Sequence, residues 1–212
     1  MIKVAVFDLD GTLIEYESSW QTLHSYFGVE HCDAQSNLEA YTRGDITYTE
    51  WMEKDIALWL PKRPTLDDVR RAFSGRRAPA ETVDAISSLH ESGISTYIVS
   101  SGIDVLAQSV GAQLGVCRTY ANELLADRSG VLTGKGTCVV EPFKKYLNVA
   151  DIARREKADL SEVACAGDTK YDISMFHGVG AKVAVNAKHR ELVDAADVSF
   201  DSITDAASYI IG

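Results

Sequence analysis

The chain has few cysteines, and none of them is spaced for a metal site. Its four cysteines are scattered over 212 residues, and no two form a C-x-x-C pair. This argues against both a disulfide framework and a zinc site, so we expect free thiols and a reducing compartment, the cytoplasm. Cys165 lies in an apolar run and is predicted to be a small buried side chain.

Long apolar stretches and an excess of positive charge are also missing. No apolar run approaches the ~20 residues of a membrane-spanning helix. The N-terminus leads straight into an apolar strand, without the charged start of a signal peptide. The formal net charge of -10 would repel nucleic-acid phosphates. We therefore expect neither a membrane nor a nucleic acid as partner, and the oligomeric state stays open.

The most informative stretch is residues 4–13, where an apolar run meets two acids and a glycine. The run Val4–Phe7 is rich in β-branched residues and predicts a buried strand of a parallel sheet. Asp8 and Asp10 follow two positions apart, so both carboxylates point to the same side of an extended segment. That side is the carboxyl end of the strand, where open α/β sheets bind ligands. An ordinary turn with two solvated acids is the alternative.

The rest of the chain predicts a doubly wound, mostly parallel, Rossmann-like α/β sheet with a small α-helical insertion after the first strand. Residues 15–76 carry helical periodicity in two amphipathic helices, with no strand pattern between them. From residue 80 onwards, strands and helices alternate. We expect the α/β core to comprise residues 1–14 and 77–212, and the helical insertion to comprise 15–76.

The boundary between these parts is locally basic. Residues 62–77 hold six basic residues and two acids. Such a run is commonly a solvated charged face, and the alternative is a rim that attracts anions to a site. The sequence leaves both interpretations open.

A serine follows the second predicted strand of the core. Ser100 ends the apolar strand 94–99 and precedes a predicted helix. Its hydroxyl, with the backbone N–H groups of Ser101 and Gly102, is suited to hold an anionic oxygen. A simple helix cap is the alternative for this segment.

Two further acids follow a third predicted strand. Asp168 comes directly after the strand 163–166, and Asp172 lies four residues later, on the same face of a predicted helix. Together with Asp8 and Asp10 they form an acidic cluster that offers only oxygen ligands. A small hard dication, Mg²⁺ above all, suits such a set.

Taken in order, these motifs resemble the four signature motifs of the haloacid dehalogenase superfamily. They are D-L-D-G-T at residues 8–12, Ser100, a lysine before the next helix, and G-D-x-x-x-D at 167–172. The segment 167–176 is similar to the phosphoserine phosphatase branch, as are residues 120–124 and Glu17, nine positions beyond Asp8. The resemblance covers the whole chain.

The resemblance implies a role for each matching residue. Asp8 would be the nucleophile that forms an aspartyl-phosphate, and Asp10 would be the general acid and then the base. Mg²⁺ would be held by the Asp8 carboxylate, the Asp10 backbone carbonyl and Asp168, with Asp172 supporting them. Ser100 and a lysine would hold the phosphoryl oxygens.

Two adjacent lysines compete for that last role. Lys144 and Lys145 stand at the start of a predicted helix, where neighbours diverge by about 100°, so only one should reach the site. An ungapped count back from Asp168 in the phosphoserine phosphatase pattern favours Lys145.

The helical insertion also matches the cap of that family, which would close over the site and contact the leaving group. Glu17 would meet the substrate's amino group, and Tyr48 would be a packing aromatic. Three positions depart from the pattern: Asp55 replaces the arginine for the substrate carboxylate, Ser101 replaces a glycine, and Tyr171 replaces an asparagine. Catalysis is therefore expected to be intact, and the substrate to be changed.

We interpret the chain as a Mg²⁺-dependent phosphatase acting on a small phosphorylated metabolite, similar to phosphoserine phosphatase but with altered substrate-reading residues. A phosphotransferase or mutase would share the same acidic cluster. A non-catalytic phosphate-binding module is disfavoured, because it has no need of Asp10 as an acid.

Overall fold

The computed structural model describes residues 1–15 and 18–212. Within this part of the chain, the strands form one sheet with the order β4-β3-β2-β1-β5-β6-β7. The strands are β1 (Val4–Phe7), β2 (Ser95–Ile103), β3 (Arg118–Ala126), β4 (Leu132–Thr137), β5 (Val163–Gly167), β6 (Ala181–Val185) and β7 (Val198–Phe200).

The first strand lies at the centre of this sheet, as its composition predicts. It pairs in parallel with β2 and β5, and every one of its residues is 0% exposed. Ala5 and Phe7 pack into one apolar cluster and Val4 and Val6 into another, so successive side chains fill opposite faces of the sheet. Among the described strands only β4 runs antiparallel, in a hairpin with β3. The doubly wound α/β fold is confirmed.

Helices cover both faces of the sheet and fill the segment after β1. They are α1 (Ser19–Phe27), α2 (His31–Thr42), α3 (Tyr48–Ala57), α4 (Leu66–Ala72), α5 (Ala80–Glu91), α6 (Asp104–Leu114), α7 (Lys145–Glu156), α8 (Arg190–Ala195) and α9 (Ile203–Ile211). The longest contain 12 residues, and no helix in the described residues is long and apolar enough to cross a membrane.

In its described residues, the segment between β1 and α5 contains four α-helices and a 3-10 helix (Leu60–Lys62), rather than the two helices that its periodicity predicts. Helix α2 has no buried residue, so it lacks the apolar stripe by which it could be recognised. Helix α4 is short and is started by a capping box in which Thr65 and Asp68 bond each other's backbone N–H. The apolar cluster is continuous from these helices to the sheet. The division at residues 14 and 76 therefore stays a prediction.

Two local predictions are wrong. Strand β2 does not end before Ser100 but continues to Ile103, where it pairs with Asn122 of β3 after a shift in register. Residues Lys170–Phe176 form a 3-10 helix rather than an α-helix. The placement of Asp172 therefore does not come from α-helical periodicity.

Candidate active site

The first acidic motif forms a tight loop directly after β1. The Asp8 amide donates to the Ala166 carbonyl of β5 at 2.9 Å, so the sheet ladder extends to the aspartate itself. The Leu9 carbonyl then accepts from the amides of residues 12, 13 and 14. Asp8 and Asp10 both line a cavity of about 700 Å³, as the spacing predicts.

Gly11 lies at the closest approach of this loop to the next motif. Its φ of +90° is a conformation that L side chains rarely adopt. A Cβ placed there would lie 2.1 Å from Asp168 Oδ2 and 2.7 Å from Lys188 Nζ. The glycine is thus required both by the backbone and by the space that Asp168 occupies.

Lys145 joins the first and last motifs. Its ammonium donates to Asp8 Oδ1 at 2.5 Å and to Asp172 Oδ1 at 2.7 Å, and the residue is 1% exposed. Burial alone would lower its pKa, but the neighbouring Asp172 and Asp8 carboxylates raise it above the usual range. Lys144 turns outward and pairs with Glu141 at 2.9 Å. Of the two lysines, Lys145 is the one that reaches the site.

Asp172 reaches the site as a capping residue. Its Oδ2 accepts from the Asp168 amide at 3.1 Å, the Thr169 amide at 2.9 Å and the Thr169 hydroxyl at 3.1 Å. With Lys145 on its other oxygen, the carboxylate is held from both sides. It therefore orients the Asp168 backbone while contributing negative charge.

Asp168 completes a cluster of three carboxylates. One oxygen each from Asp8, Asp168 and Asp172 lies within 4.8 Å of the others, and all three residues are buried. Asp168 Oδ1 accepts from the Thr12 hydroxyl at 3.3 Å, and its Oδ2 lies 3.0 Å from Lys188 Nζ.

The Asp10 side chain does not join this cluster. Its Oδ2 accepts from the Ser19 amide at 2.9 Å, because α1 begins at that point, while its Oδ1 is buried and has no hydrogen-bond partner among the described residues. Burial raises the pKa of Asp10, although the Ser19 hydrogen bonds oppose the shift. The expected four-carboxylate cluster therefore has three side chains, with the fourth carboxyl aimed at the cavity.

The electrostatics of the cluster suit a divalent cation. Burial raises the pKa of Asp8 well above its usual range; Lys145 opposes this, and Asp172 and Asp168 add to it. Burial, with the Asp172 charge, likewise raises the pKa of Asp168. The three clustered carboxylates and the two lysines paired with them leave a formal charge of -1 in one place, and Asp10 lines the same cavity. The donor set therefore fits a hard dication such as Mg²⁺.

Ser100 is buried at the cavity, with only 2% of its surface exposed. Its hydroxyl oxygen accepts from the Gly102 amide at 3.0 Å, and the Ile103 amide donates to the Ser19 hydroxyl at 3.1 Å. Because the backbone stays extended to Ile103, Ser100 lies within strand β2, near its carboxyl end, rather than at a helix N-terminus. The amide of Gly102, expected to face an anion, is thus already paired.

The Ser101 carbonyl connects the helices to the sheet. It accepts from Trp20 Nε1 at 3.0 Å, the Tyr48 hydroxyl at 2.8 Å and Asn122 Nδ2 at 2.9 Å. Asn122 is 0% exposed and also donates to Tyr48 at 3.2 Å. Ser101 and Tyr48 both line the cavity, as expected.

Of the other predicted substrate contacts, Asp55 and Tyr171 lie at the cavity. Asp55 is 2% exposed and Tyr171 is partly buried, and both line the cavity with the catalytic candidates. Phe143 contacts Tyr171 edge-on at 5.2 Å between ring centroids. Glu17 lies outside the described residues.

Two of the six basic residues in the segment 62–77 form ion pairs within it. Arg70 and Arg71 pair with Asp67 and Asp68, three residues earlier in each case, at 2.6 and 2.5 Å. The charge of Arg76 also acts on the site, because it opposes the rise that burial causes in the pKa of Asp10. For the two paired arginines the solvated-face interpretation holds.

Two residues near the cluster were missed by the sequence reasoning. Lys188 follows the end of β6, and its amide donates to the Asp168 carbonyl at 2.8 Å. The rule that identified Asp168, a polar residue just past a strand, would have found it. Asn122 gave no such signal, because it lies inside β3 and its role depends on the neighbouring Ser101 carbonyl.

Comparisons with known proteins agree with this geometry. A family model described as haloacid dehalogenase-like hydrolase matches residues 5–177. A phosphoserine phosphatase of Archaeoglobus fulgidus is 30% identical over 213 residues, and this chain spans 60% of that protein's length. One from Methanocaldococcus jannaschii is 30% identical over 189 residues, which cover 88% of this chain and 86% of that protein.

A solved structure agrees as well. The phospho-aspartyl intermediate analogue of a phosphoserine phosphatase superposes with a TM-score of 0.82 at 26% identity, and 99% of each chain is covered. The chain therefore belongs to the haloacid dehalogenase-like hydrolase family, as a phosphatase similar to the phosphoserine phosphatases.

Proposed function

We propose that this chain is a Mg²⁺-dependent phosphomonoester hydrolase that works through an aspartyl-phosphate on Asp8. The observation that supports this most is the convergence of Asp8, Asp168, Asp172 and Lys145 at a cavity that Asp10 also lines. The substrate is a small phosphorylated metabolite, bound with its phosphoryl group at Asp8.

In the first half-reaction, an Asp8 carboxylate oxygen attacks phosphorus. The new O–P bond forms while the bond to the leaving oxygen breaks, and that oxygen takes the proton of the Asp10 carboxyl. Burial favours the neutral form of Asp10, which is the form that can donate. The unbonded Asp10 Oδ1 is the atom available for this proton.

In the second half-reaction, Asp10 acts as the base. Its carboxylate takes a proton from water, the resulting hydroxide attacks phosphorus, and the bond from phosphorus to Asp8 breaks. Inorganic phosphate leaves, and both aspartates return to their starting states. The Ser100 hydroxyl, buried at the same cavity, and the Lys145 ammonium, bonded to Asp8, hold the phosphoryl oxygens as charge develops.

The carboxylates of Asp8 and Asp168, with the Asp10 backbone carbonyl, would hold Mg²⁺. When bound, the ion neutralises the charge of these carboxylates and of the phosphoryl oxygens. Asp172 keeps the Asp168 backbone and Lys145 in place. Asp172 is given this supporting role, and not that of a metal ligand, because both of its carboxylate oxygens already accept hydrogen bonds.

Residues 15–76 would act as the cap, which excludes water and contacts the leaving group. Tyr48 would be a packing aromatic of this cap, and Glu17 and Tyr171 would contact the substrate. The backbone N–H of Ser101 would contact the phosphoryl group. The cytoplasmic location and the absence of a nucleic-acid partner stay predictions from composition.

We expect Mg²⁺ to be required both for activity and for full stability. Phosphate release from a generic aryl phosphate should stop in excess chelator and return with added Mg²⁺. In the absence of substrate, Mg²⁺ at a hundredfold excess over its Kd should stabilise the fold by about 2.7 kcal/mol, measured by urea unfolding. Asp168→Asn should remove this stabilisation. Activity that persists in chelator would contradict the proposal.

Gly11→Ala tests the close approach of the two acidic motifs. The positive φ should cost about 1–2 kcal/mol of stability, and displacement of Asp168 should lower kcat by about 10²-fold. Gly130→Ala is the matched control, because Gly130 has a φ of +85° but no atom within 4 Å of an added Cβ. Equal loss of activity in the two variants would refute the steric argument.

A further inference from the structure

The helices between β1 and α5 form one wall of the cavity, and this helical wall is largely aromatic. We define it by Trp20, Tyr41, Tyr48, Trp51 and Asp55, all of which line the cavity. The rings touch each other in series: Trp20 and Trp51 edge-on at 4.9 Å, Trp51 and Tyr48 stacked at 5.0 Å, and Tyr48 and Tyr41 edge-on at 5.4 Å between centroids.

Two polar atoms of this wall have no partner. Trp51 Nε1 and the Tyr41 hydroxyl make no hydrogen bond within the described part of the chain, although both atoms are buried. Trp51 itself is 8% exposed. Buried donors are normally satisfied, so these two mark a surface that is completed by a ligand with a hydrogen-bond acceptor, such as an ester or phosphoryl oxygen.

Asp55 brings a negative charge to the same wall. Its Oδ1 accepts from Asn37 Nδ2 at 2.8 Å, and its Oδ2 lies 3.0 Å from His24 Nε2. The other ring nitrogen, His24 Nδ1, lies 3.0 Å from Trp59 Nε1. An indole nitrogen can only donate a hydrogen bond, so His24 Nδ1 must be unprotonated.

The tautomer of His24 follows from this constraint. The one ring proton is on Nε2 and is donated to Asp55, so His24 is a neutral donor. Asn37 is neutral as well. Asp55 is therefore a carboxylate that is hydrogen-bonded without being neutralised.

Among the described residues, no lysine or arginine compensates this charge on the helical wall. In the part of the chain that the structure describes, the only lysine or arginine lining the cavity is Lys145, and it is bonded to Asp8 and Asp172. Glu30, also in the lining, adds a further negative charge. A leaving group with a carboxylate would be repelled here, whereas an ammonium group would be attracted both by Asp55 and by the aromatic faces.

We propose that the helical wall selects phosphomonoesters whose leaving alcohol carries an ammonium group and no carboxylate, the phosphates of amino alcohols. This specificity rests on the proposed phosphatase function. The bond-breaking steps are unchanged, and the wall acts only on the part of the substrate beyond the leaving oxygen.

Substrate pairs matched in shape and differing in charge test this directly. Ethanolamine phosphate is compared with propyl phosphate, and choline phosphate with its all-carbon analogue, neohexyl phosphate. In at least one pair, we expect kcat/KM to be at least about tenfold higher for the cationic substrate than for its neutral partner. Phosphoserine, which differs from ethanolamine phosphate by one carboxylate, should be at least about tenfold poorer than ethanolamine phosphate.

A variant pair assigns the effect to Asp55. Asp55→Asn should bring the cation-to-neutral ratio of kcat/KM close to one. Glu53→Gln, on the same helix but paired outside the cavity with Lys135 at 2.7 Å, should leave the ratio unchanged. The ratio is the readout because it cancels any general loss of activity.

A binding measurement on the unaltered protein covers the case in which Asp55→Asn fails to fold. All three tryptophans of the chain lie in or directly behind the helical wall, so their fluorescence reports on it. Choline should shift this fluorescence with at least about tenfold higher affinity than neohexanol.

Each outcome decides the proposal. Equal turnover of the charged and neutral partners, or better turnover of phosphoserine or a sugar phosphate, overturns it while the phosphatase function stands. No phosphate release from any substrate, including an aryl phosphate with Mg²⁺, overturns both.

Discussion

Asp8→Asn is expected to lower phosphate release from an aryl phosphate by at least about 10³-fold. An amide oxygen is a far weaker nucleophile than a carboxylate, and no other described carboxyl holds the position between Lys145 and the cavity. Acid-quenched reactions with labelled substrate should show an acyl-phosphate on the unaltered protein and none on the variant. The acyl-phosphate should be cleaved by hydroxylamine.

The fold of this variant should survive. Asp8 is desolvated and repelled by Asp172 and Asp168, so loss of its charge relieves part of the destabilisation in the metal-free protein. Asp67→Asn is the control, because its carboxylate is 74% exposed and pairs only with Arg70. A phosphorylated protein in the Asp8→Asn sample, or activity within tenfold of the original, would show that the nucleophile lies elsewhere.

Lys145→Met is expected to destabilise the metal-free protein by about 3–5 kcal/mol and to abolish turnover. The substitution keeps an unbranched side chain of similar length and removes an ammonium that contacts both Asp8 and Asp172. Two buried carboxylates then face each other without a cation. Urea unfolding in chelator measures the stability, and phosphate release measures the activity.

The neighbouring lysine supplies the control for this experiment. Lys144→Met removes a solvent-exposed pair with Glu141, which solvent screens, so stability and kcat should change little. Mg²⁺ should restore part of the stability of Lys145→Met, because it supplies positive charge to the same carboxylates. Similar losses in the two lysine variants would contradict the assignment of Lys145.

The relatives are named phosphoserine phosphatases, whereas the helical wall of this chain favours a substrate without a carboxylate. Asp8, Asp10, Asp168, Ser100 and Lys145 all line the cavity, and Asp172 bonds Lys145. On the helical wall, Asp55 lies buried among neutral donors and aromatic rings. Such a combination is expected where a family keeps its reaction and changes its leaving group, since the two ends of the cavity are built from different segments.

The largest part of the fold could be predicted because it depends on local pattern. Val4–Phe7 is apolar throughout, and only a strand covered on both faces satisfies such a run. Helix α5, with buried residues at positions 82, 85, 86 and 89, carries its own periodicity. Helix α2 escaped prediction because none of its residues is fully buried. It contacts its neighbours only through partly buried side chains such as Tyr41, which packs on Tyr48 of α3.

The candidate site was predictable to the extent that it lies at strand ends. Asp8 and Asp168 each follow a buried apolar run, and parallel strands bring such positions to one edge. Sequence alone therefore determined the strands of the sheet, its ligand-binding edge and the placement of Asp8 and Asp168 there, because each of these follows from an apolar run that ends at a polar residue.

Only the tertiary structure decided between Lys144 and Lys145, brought Lys188 to Asp168, and left His24 a neutral donor to Asp55. These outcomes depend on the direction of one side chain relative to another that is distant in the chain. Adjacent residues on a helix have equal local propensity, and the contact that distinguishes them forms only when the sheet and helices pack together.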